Sequence, residues 1–558
     1  MADRLPPPPI APALAARLFP TLTPAQIARI AVHGQRRQVR PGEVLFDIGD
    51  GAVGFFVVVS GAVDMVRPTG SGEMLIVTHG PGSFGGESNM ISGRPSLVRA
   101  EVSEAGEVIE LDHAELLALV QTDAELSEIL MRVFILRRVE LIAQGFGDAV
   151  LLGSEHCSDT MRIKEFLTRN GHPYAYIDLD RDSDAQELID RFAITEDDVP
   201  VVICRGETVL RNPTSQQIAE CLGFNDSIDE THVRDVVIVG AGPAGLSAAV
   251  YGASEGLDVL VLDVSAPGGQ AGSSSRIENY LGFPTGISGQ ELAARAYAQA
   301  QKFGAEILIA KSATHLACDG QPYAVHLADG PRIRARAVII ATGADYRKPA
   351  LPGLAQFQGA GVFYAATPME AQTCVGEDLV VVGGGNSAGQ AAVFLAQTAR
   401  RVYMLVRSEG LAETMSRYLV RRIEENPAIE LRTQTELVAL EGDGQLERVR
   451  WRDRRAGVEE THDVRHVFIM TGAVPNTGWL DRCVVLDEKG FIKTGPSLTP
   501  EDLAAAGWPL ARPPYLLETT LPGVFAVGDV RGGNIKRVAS AVGEGSNAIS
   551  FVHQVLRQ

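Results

Sequence analysis

The sequence predicts a multidomain chain: a β jelly-roll, then a small α/β unit, then a large α/β region built on two Rossmann-like dinucleotide-binding folds. Three observations carry this. Between Val39 and Leu111, short apolar strands alternate with glycine turns. From 149 to 224, strands and helices alternate. After residue 234, a strand–glycine turn–helix pattern occurs twice.

The first of these patterns organises the rest. Val236-Val237-Ile238-Val239 reads as a buried strand, Gly240-Ala241-Gly242-Pro243-Ala244-Gly245 as a turn, and Leu246 to Glu255 as a helix. Gly240 allows the tight turn and Gly242 the approach of a pyrophosphate. Gly245 lets the helix pack closely on the strand, with its N-terminus toward the phosphates. A second strand, Val259 to Leu262, ends in Asp263, 263 − 245 = 18 residues after the last glycine. That spacing suits an acid that reaches a ribose hydroxyl.

The second pattern begins at the strand Leu379 to Val382, followed by Gly383-Gly384-Gly385-Asn386-Ser387-Ala388 and a helical stretch to Thr398. Its next strand, Val402 to Val406, ends in Arg407, which suits the 2′-phosphate of NADP as an aspartate suits a bare ribose. Two such sites, 383 − 240 = 143 residues apart, imply a flavin beside a nicotinamide.

The 558 residues allow three or four domains. A formal net charge of −19 argues against nucleic acid or an anionic membrane surface as partner. Cys157, Cys204, Cys221, Cys318, Cys374 and Cys483 show no paired spacing, so reduced thiols and a cytoplasmic location are expected. The proline-rich start lacks a signal-peptide pattern, and no apolar run approaches the length of a membrane span.

In chain order, residues 1–38 form a Pro- and Ala-rich extension with helical pattern, and 39–145 the barrel with a closing amphipathic helix from Ala124 to Ile142. Phe84-Gly85-Gly86-Glu87-Ser88, Arg94-Pro95-Ser96 and the Arg40 to Glu43 entry resemble the phosphate cassette of cyclic nucleotide-binding domains. The resemblance implies that Glu87 holds the ribose and Arg94 the cyclic phosphate of cAMP or cGMP, with Gly86, Ser88 and Ser96 completing the cradle. Pro95 departs from the family, whose residue there is Ser or Thr, and removes a hydroxyl and an N–H. A barrel kept only for docking or dimer contacts is the alternative.

Residues 149–224 place Cys157 before a first helix, a further helix around Ala185 to Phe192, and Val199-Pro200 before a later strand. This resembles glutaredoxin and thioredoxin domains, in which that proline is cis. Cys157…Thr160 stands where the family has C-x-x-C, so the nucleophilic position is kept and the resolving thiol is absent. A helix start favours an anion there. A relic docking domain is the other reading. Asn225 to Val233 is a polar linker.

From Arg234 onward the chain resembles thioredoxin reductases. Gly268-Gly269-Gln270, Ile277-Glu278-Asn279-Tyr280 and Gly282-Phe283-Pro284 match their FAD loop, and Gly523 to Val530, with Gly528, their second FAD motif, in which Asp529 would contact the ribityl chain. Lys536-Arg537-Val538-Ala539 takes the place of the flavin cap. The resemblance implies an FAD-binding domain over 234–345 and 481–558, an NADPH-binding domain over 350–480, and a homodimer. The family's redox Cys-Ala-Thr-Cys is replaced by Ala365-Ala366-Thr367-Pro368, and its His-Arg-Arg by Val406-Arg407-Ser408, with Arg417 or Arg421 available as second charge. Cys374 is the only nearby thiol and reads as a small buried residue.

The expectation is an FAD- and NADPH-dependent oxidoreductase with a cyclic-nucleotide regulatory domain. Its acceptor is a disulfide reached through Cys157, an external small disulfide, or a non-thiol acceptor such as a ferredoxin-like protein or quinone. A sensor that does not turn over is the reading from another class.

Overall fold

The computed structural model describes every residue except 1–11, 51–53, 70–71, 87–95, 97, 144–148, 155–156, 181–188, 190–193, 196–197, 205–207, 413–414, 481 and 558. The chain divides into two compact units. One comprises Met1–Gly153, Phe166–Ile228 and Ala298–Ala310; the other comprises Ser154–Glu165, Asp229–Tyr297 and Lys311–Gln558.

In the first unit, the long strands Phe55–Thr69 and Arg99–Leu111 pair antiparallel and are flanked by Gln35–Val39 and Gly72–His79. Val44–Phe46 and Phe84–Gly85 complete the jelly-roll. Phe55, Phe56, Val57 and Val58 are all buried, and with Phe84, Val102 and Ile109 they share a core with Leu126, Leu130, Val133 and Phe134 of the helix Ala124–Ala143. That helix also carries a buried cation. The Arg137 guanidinium donates to the carbonyls of Leu18 and Phe84 and lies 5.0 Å from the ring centroids of both Phe19 and Phe84. The same unit holds a second sheet, ordered Thr208–Arg211, Val201–Cys204, Ala149–Gly153, Tyr174–Asp178. The Val199–Pro200 peptide bond is cis, as the resemblance implies. The helix expected around Ala185 to Phe192 lies outside the described residues but for Ile189.

The second unit is built on two parallel cores. In the first, Val233–Val239 lies parallel between Val259–Asp263 and Arg332–Ile340, with Val524–Ala526 on the far side of Arg332–Ile340. The ribbon Tyr323–Leu327 and Ala313–Ala317 continues antiparallel, leaving Ala313–Ala317 at the edge. In the second core the parallel order is Val362–Phe363, His466–Ile469, Asp378–Val382, Arg401–Leu405, Ile429–Arg432. The chain enters this core through Ala344–Tyr346 and returns through Ala473–Pro475, which pair antiparallel as a two-stranded crossing. Two buried-strand runs of Val, Ile and Leu are what parallel sheets covered on both faces require.

One expectation fails here. Cys318 and Cys483 form a disulfide, leaving Cys157, Cys204, Cys221 and Cys374 as free thiols. The partners are 165 residues apart in sequence, so no local spacing announces the bond; the fold returns Cys483 to the end of the strand that precedes Cys318.

Candidate functional site

The first dinucleotide turn is shaped by missing side chains. At Gly240 the backbone has φ +109°, and a Cβ there would stand 2.3 Å from the Ala341 carbonyl oxygen. At Gly245 it would stand 1.8 Å from the Gly240 oxygen, and at Gly545 2.1 Å from that of Ala244. Gly242 caps the helix Pro243–Ser254 without a side-chain hydrogen bond, so the cap itself covers none of the first-turn N–H groups. Across from it lies Gly269, whose Cβ would meet Gly242 Cα at 3.0 Å. Asp263, buried at the end of its strand, accepts from the N–H of Ala241 at 2.8 Å and of Ser265 at 2.9 Å.

The opposite wall comes from the end of the chain. Gly528 turns at φ +71° against the Ala244 methyl, and its N–H donates to Glu544 at 2.7 Å. Glu544 is in turn paired with Arg531. Burial raises the Asp529 carboxyl above its ordinary range, and Lys536, 3.8 Å away, works against that. Gln270 donates to the Ala344 carbonyl at the start of the crossing. Arg537 is the N-cap of the helix Val538–Leu556. This glycine-walled cradle with a fixed acid fits an FAD, because Gly240, Gly242 and Gly245 let the backbone come close to a pyrophosphate.

The second cradle repeats the design. Gly383 (φ +142°) would bring a Cβ to 2.5 Å from the Met470 oxygen, and Gly385 caps the helix Asn386–Leu395 without a side-chain bond. Asn386 accepts from Ser416 N–H at 2.7 Å, tying the turn to the start of the helix Arg417–Glu424, while Ala388 is buried in the core beneath. Arg407 and Arg417 are exposed, and among the described residues neither has an ion-pair partner. Arg421 is already paired with Glu425 at 2.7 Å.

Several residues that the sequence reading passed over join the two cradles. Arg422 pairs with Glu278 at 2.6 Å. Tyr346, on the entering strand, is hydrogen-bonded to Ser387, and burial chiefly, with the charge of Asp529, raises its phenol. A cavity of about 290 Å³ is lined by Asn279, Tyr280, Ser416, Tyr418, Arg537, Val538 and Ala539, so the expected flavin loop and cap meet the nicotinamide half there. No local pattern marks Tyr418 or Arg422; they become visible only when the two halves meet.

The thiol positions differ sharply. Cys374 is buried, its thiol donates to the Glu370 carbonyl at 3.3 Å, and burial together with Glu377 and Glu370 pushes it up to about 12. Ala366 is buried beside it, and Thr367 N–H donates to Glu370 at 2.8 Å. Cys157 is half-buried and sits just before the helix Ser158–Arg169. The next residue, Ser158, lies against Gly359 (φ +77°), where a Cβ would come within 2.7 Å of Ser158 Cβ. Of the cyclic nucleotide residues, Glu87, Ser88 and Arg94 lie outside the described residues. Gly86 turns at φ +91° hard against Phe55, and buried Ser96 is held through its N–H on the Asp50 carbonyl and its hydroxyl on that of Val98. Among the described residues no helix is long and apolar enough to cross a membrane.

Comparison with known proteins matches three stretches of the chain. A family profile described as pyridine nucleotide-disulphide oxidoreductase matches residues 234–545. Residues 36–123 match a cyclic nucleotide-binding domain and 149–209 a glutaredoxin. The chain is 33% identical over 331 residues to the thioredoxin reductase of Bacillus subtilis (strain 168), covering 59% of this chain and 97% of the relative. Against that of Mycolicibacterium smegmatis the figures are 34% over 321 residues, 57% and 94%. Lactococcus lactis thioredoxin reductase in its FR conformation superposes with a TM-score of 0.52 at 28% identity, covering 58% of this chain and 100% of that structure. Thioredoxin reductase of T. acidophilum gives a TM-score of 0.52 at 31% identity, with coverage of 58% and 99%.

Proposed function

Because the chain belongs to the pyridine nucleotide-disulphide oxidoreductase family, we propose that it is an NADPH-dependent FAD oxidoreductase of thioredoxin-reductase type whose disulfide chemistry runs through Cys157. When bound, FAD supplies the two-electron acceptor for the hydride of NADPH. The observation that carries the reading is the pair of glycine turns, at Gly240–Gly245 and Gly383–Gly385, joined by one two-stranded crossing.

On this reading the chain's own groups divide the work. Gly240, Gly242, Pro243, Ala244 and Gly245 bring helix N–H groups to the FAD pyrophosphate, and Asp263 orients its ribose. Gly269, Gln270, Asn279, Gly528, Asp529, Arg537, Val538 and Ala539 enclose the rest. Gly383, Gly385, Asn386, Ser387 and Ala388 form the NADPH turn, with Arg407 and Arg417 as cations for the 2′-phosphate. The cleft between Tyr280 and Tyr418 would exclude water from the nicotinamide.

The thiol step follows from what is missing. Ala365 and Pro368 stand where the family has its dithiol, and Cys374 is buried with its thiolate disfavoured. The Cys157 thiolate attacks one sulfur of a substrate disulfide and releases the other as a thiolate. Thr160 replaces the resolving cysteine, so opening the mixed disulfide takes two electrons from outside this domain; NADPH, by way of bound FAD, would supply them, releasing the second substrate thiol and regenerating Cys157. The seat of Ser158 against Gly359 supports Cys157 over Cys374. A cytoplasmic homodimer acting on a disulfide belongs to the same proposal. So does regulation by cAMP or cGMP at Gly86, Glu87, Ser88, Arg94 and Ser96, supported by the match over 36–123.

The test sets Cys157→Ser beside Cys374→Ser, with flavin bleaching by NADPH followed separately from disulfide turnover. Bleaching should survive both changes, and disulfide turnover should be lost only in Cys157→Ser. Full turnover in Cys157→Ser would refute the relay. No turnover in any form, including wild type, would favour a ferredoxin- or quinone-type acceptor.

A further inference from the structure

We propose that the Cys318–Cys483 disulfide is a reducible brace on the return of the nicotinamide-binding half to the flavin-binding half. The bond encloses both crossing strands, Ala344–Tyr346 and Ala473–Pro475, and with them the whole second core. The two ends of that insertion are anchored differently. The entering chain leaves the central strand Arg332–Ile340, which is hydrogen-bonded on both sides, and Ala341 N–H still donates to Val239. Among the described residues the returning chain joins no strand between Pro475 and Cys483, although Asn476 N–H donates to Gly343 and the Thr477 hydroxyl to Gly490. After Pro475 it exchanges bonds between Asn476 and Thr342, buries Leu480 in the short 3₁₀ turn Gly478–Leu480, and reaches Cys483. Arg482, next to Cys483, is a non-glycine residue held at φ +66°. The bond fastens this segment to the end of Ala313–Ala317, an edge strand with an unpaired side.

Both cysteines are half-buried, with part of each residue at the surface where a small thiol can meet the bond. The thiolate of the reductant attacks one sulfur and forms a mixed disulfide; a second reductant thiol displaces the protein sulfur. Two electrons and two protons arrive as the Cys318 and Cys483 thiols, and the reductant leaves as its disulfide. The strands of the flavin sheet keep their hydrogen bonds throughout, so release is confined to the returning segment. The thiol poise of the surroundings thereby sets how firmly the nicotinamide half is tethered.

The experiment uses the full chain loaded with FAD. Thiol alkylation after denaturation should label the four free cysteines without reductant and all six after tris(2-carboxyethyl)phosphine. Amide exchange over 476–483 should become several-fold faster on reduction, while Val236 to Val239 keeps its protection. Cys318→Ser combined with Cys483→Ala should match the reduced wild type and ignore the reductant. Six labels without reductant would overturn the proposal. So would unchanged exchange at 476–483, or equal loss of protection at Val236 to Val239, which would make the bond a global staple.

Discussion

Replacing Gly240 by alanine tests the cradle most directly. Two costs add. The residue sits at φ +109°, on the side of the map that L side chains avoid, at about 1–2 kcal/mol. Its Cβ would stand 2.3 Å from Ala341 O, 2.7 Å from Ala341 C and 3.0 Å from Thr342 N. All three are backbone atoms, and both sides are pinned: Gly240 N–H donates to Leu262 at 2.7 Å and Ala341 N–H to Val239 at 2.8 Å. Relief must therefore move a strand, at about 1–3 kcal/mol. The total is about 2–5 kcal/mol. Gly256→Ala supplies the control, since φ is +84° there and nothing lies within 4 Å of the added carbon. It should cost only the conformational ~1–2 kcal/mol. Urea unfolding followed by flavin release, with FAD content after gel filtration, separates the two. Gly240→Ala should shed FAD and Gly256→Ala should retain it. Equal shifts in both variants would refute the argument that close backbone packing at Gly240 builds the cradle.

Four other outcomes are expected. Arg407→Ala should reduce the preference for NADPH over NADH about ten- to a hundredfold, the ~1.5–3 kcal/mol of a charge-assisted contact, in steady-state comparison of the two coenzymes; an unchanged preference would remove Arg407 from the 2′-phosphate site. Burial, with the charge of Glu165 adding, raises the Glu370 carboxyl, so the folded chain holds this proton more tightly than the unfolded chain. Stability is unpenalised below the unfolded value of about 4.3 and falls as pH rises through the higher folded value. Glu370→Gln should flatten that fall in denaturation midpoints measured across pH, and an identical fall in the variant would assign it to other groups. Calorimetry with cAMP and cGMP should show binding that Arg94→Ala abolishes. In Arg137→Met, which frees the buried Phe84 carbonyl just before Gly85 and Gly86, thermal scans should show a barrel weakened by about 1–3 kcal/mol, and an unchanged midpoint would make that bond dispensable.

Much of this protein was legible in its sequence because the decisive constraints are local. A chain that must turn at Gly240 and pack at Gly245 needs glycine there whatever surrounds it, and Asp263 follows at the end of the next strand because strand and helix lengths are set by the layer they cross. The barrel is likewise legible in its apolar strands and glycine turns, although its two central strands, Phe55–Thr69 and Arg99–Leu111, run longer than the short strands expected, and the cis Val199–Pro200 bond is legible in a family pattern. What the tertiary structure decided are pairings between distant segments. Cys318 meets Cys483 across 165 residues, Glu278 meets Arg422 across 144, Gly545 meets Ala244, and Arg137 reaches back to Leu18 and Phe84. Periodicity reports which face of an element is apolar but not which element covers it. The disulfide, the inter-cradle ion pair and the wall formed by the last helix therefore depend on how the insertion returns to its parent sheet, and that is a property of topology alone.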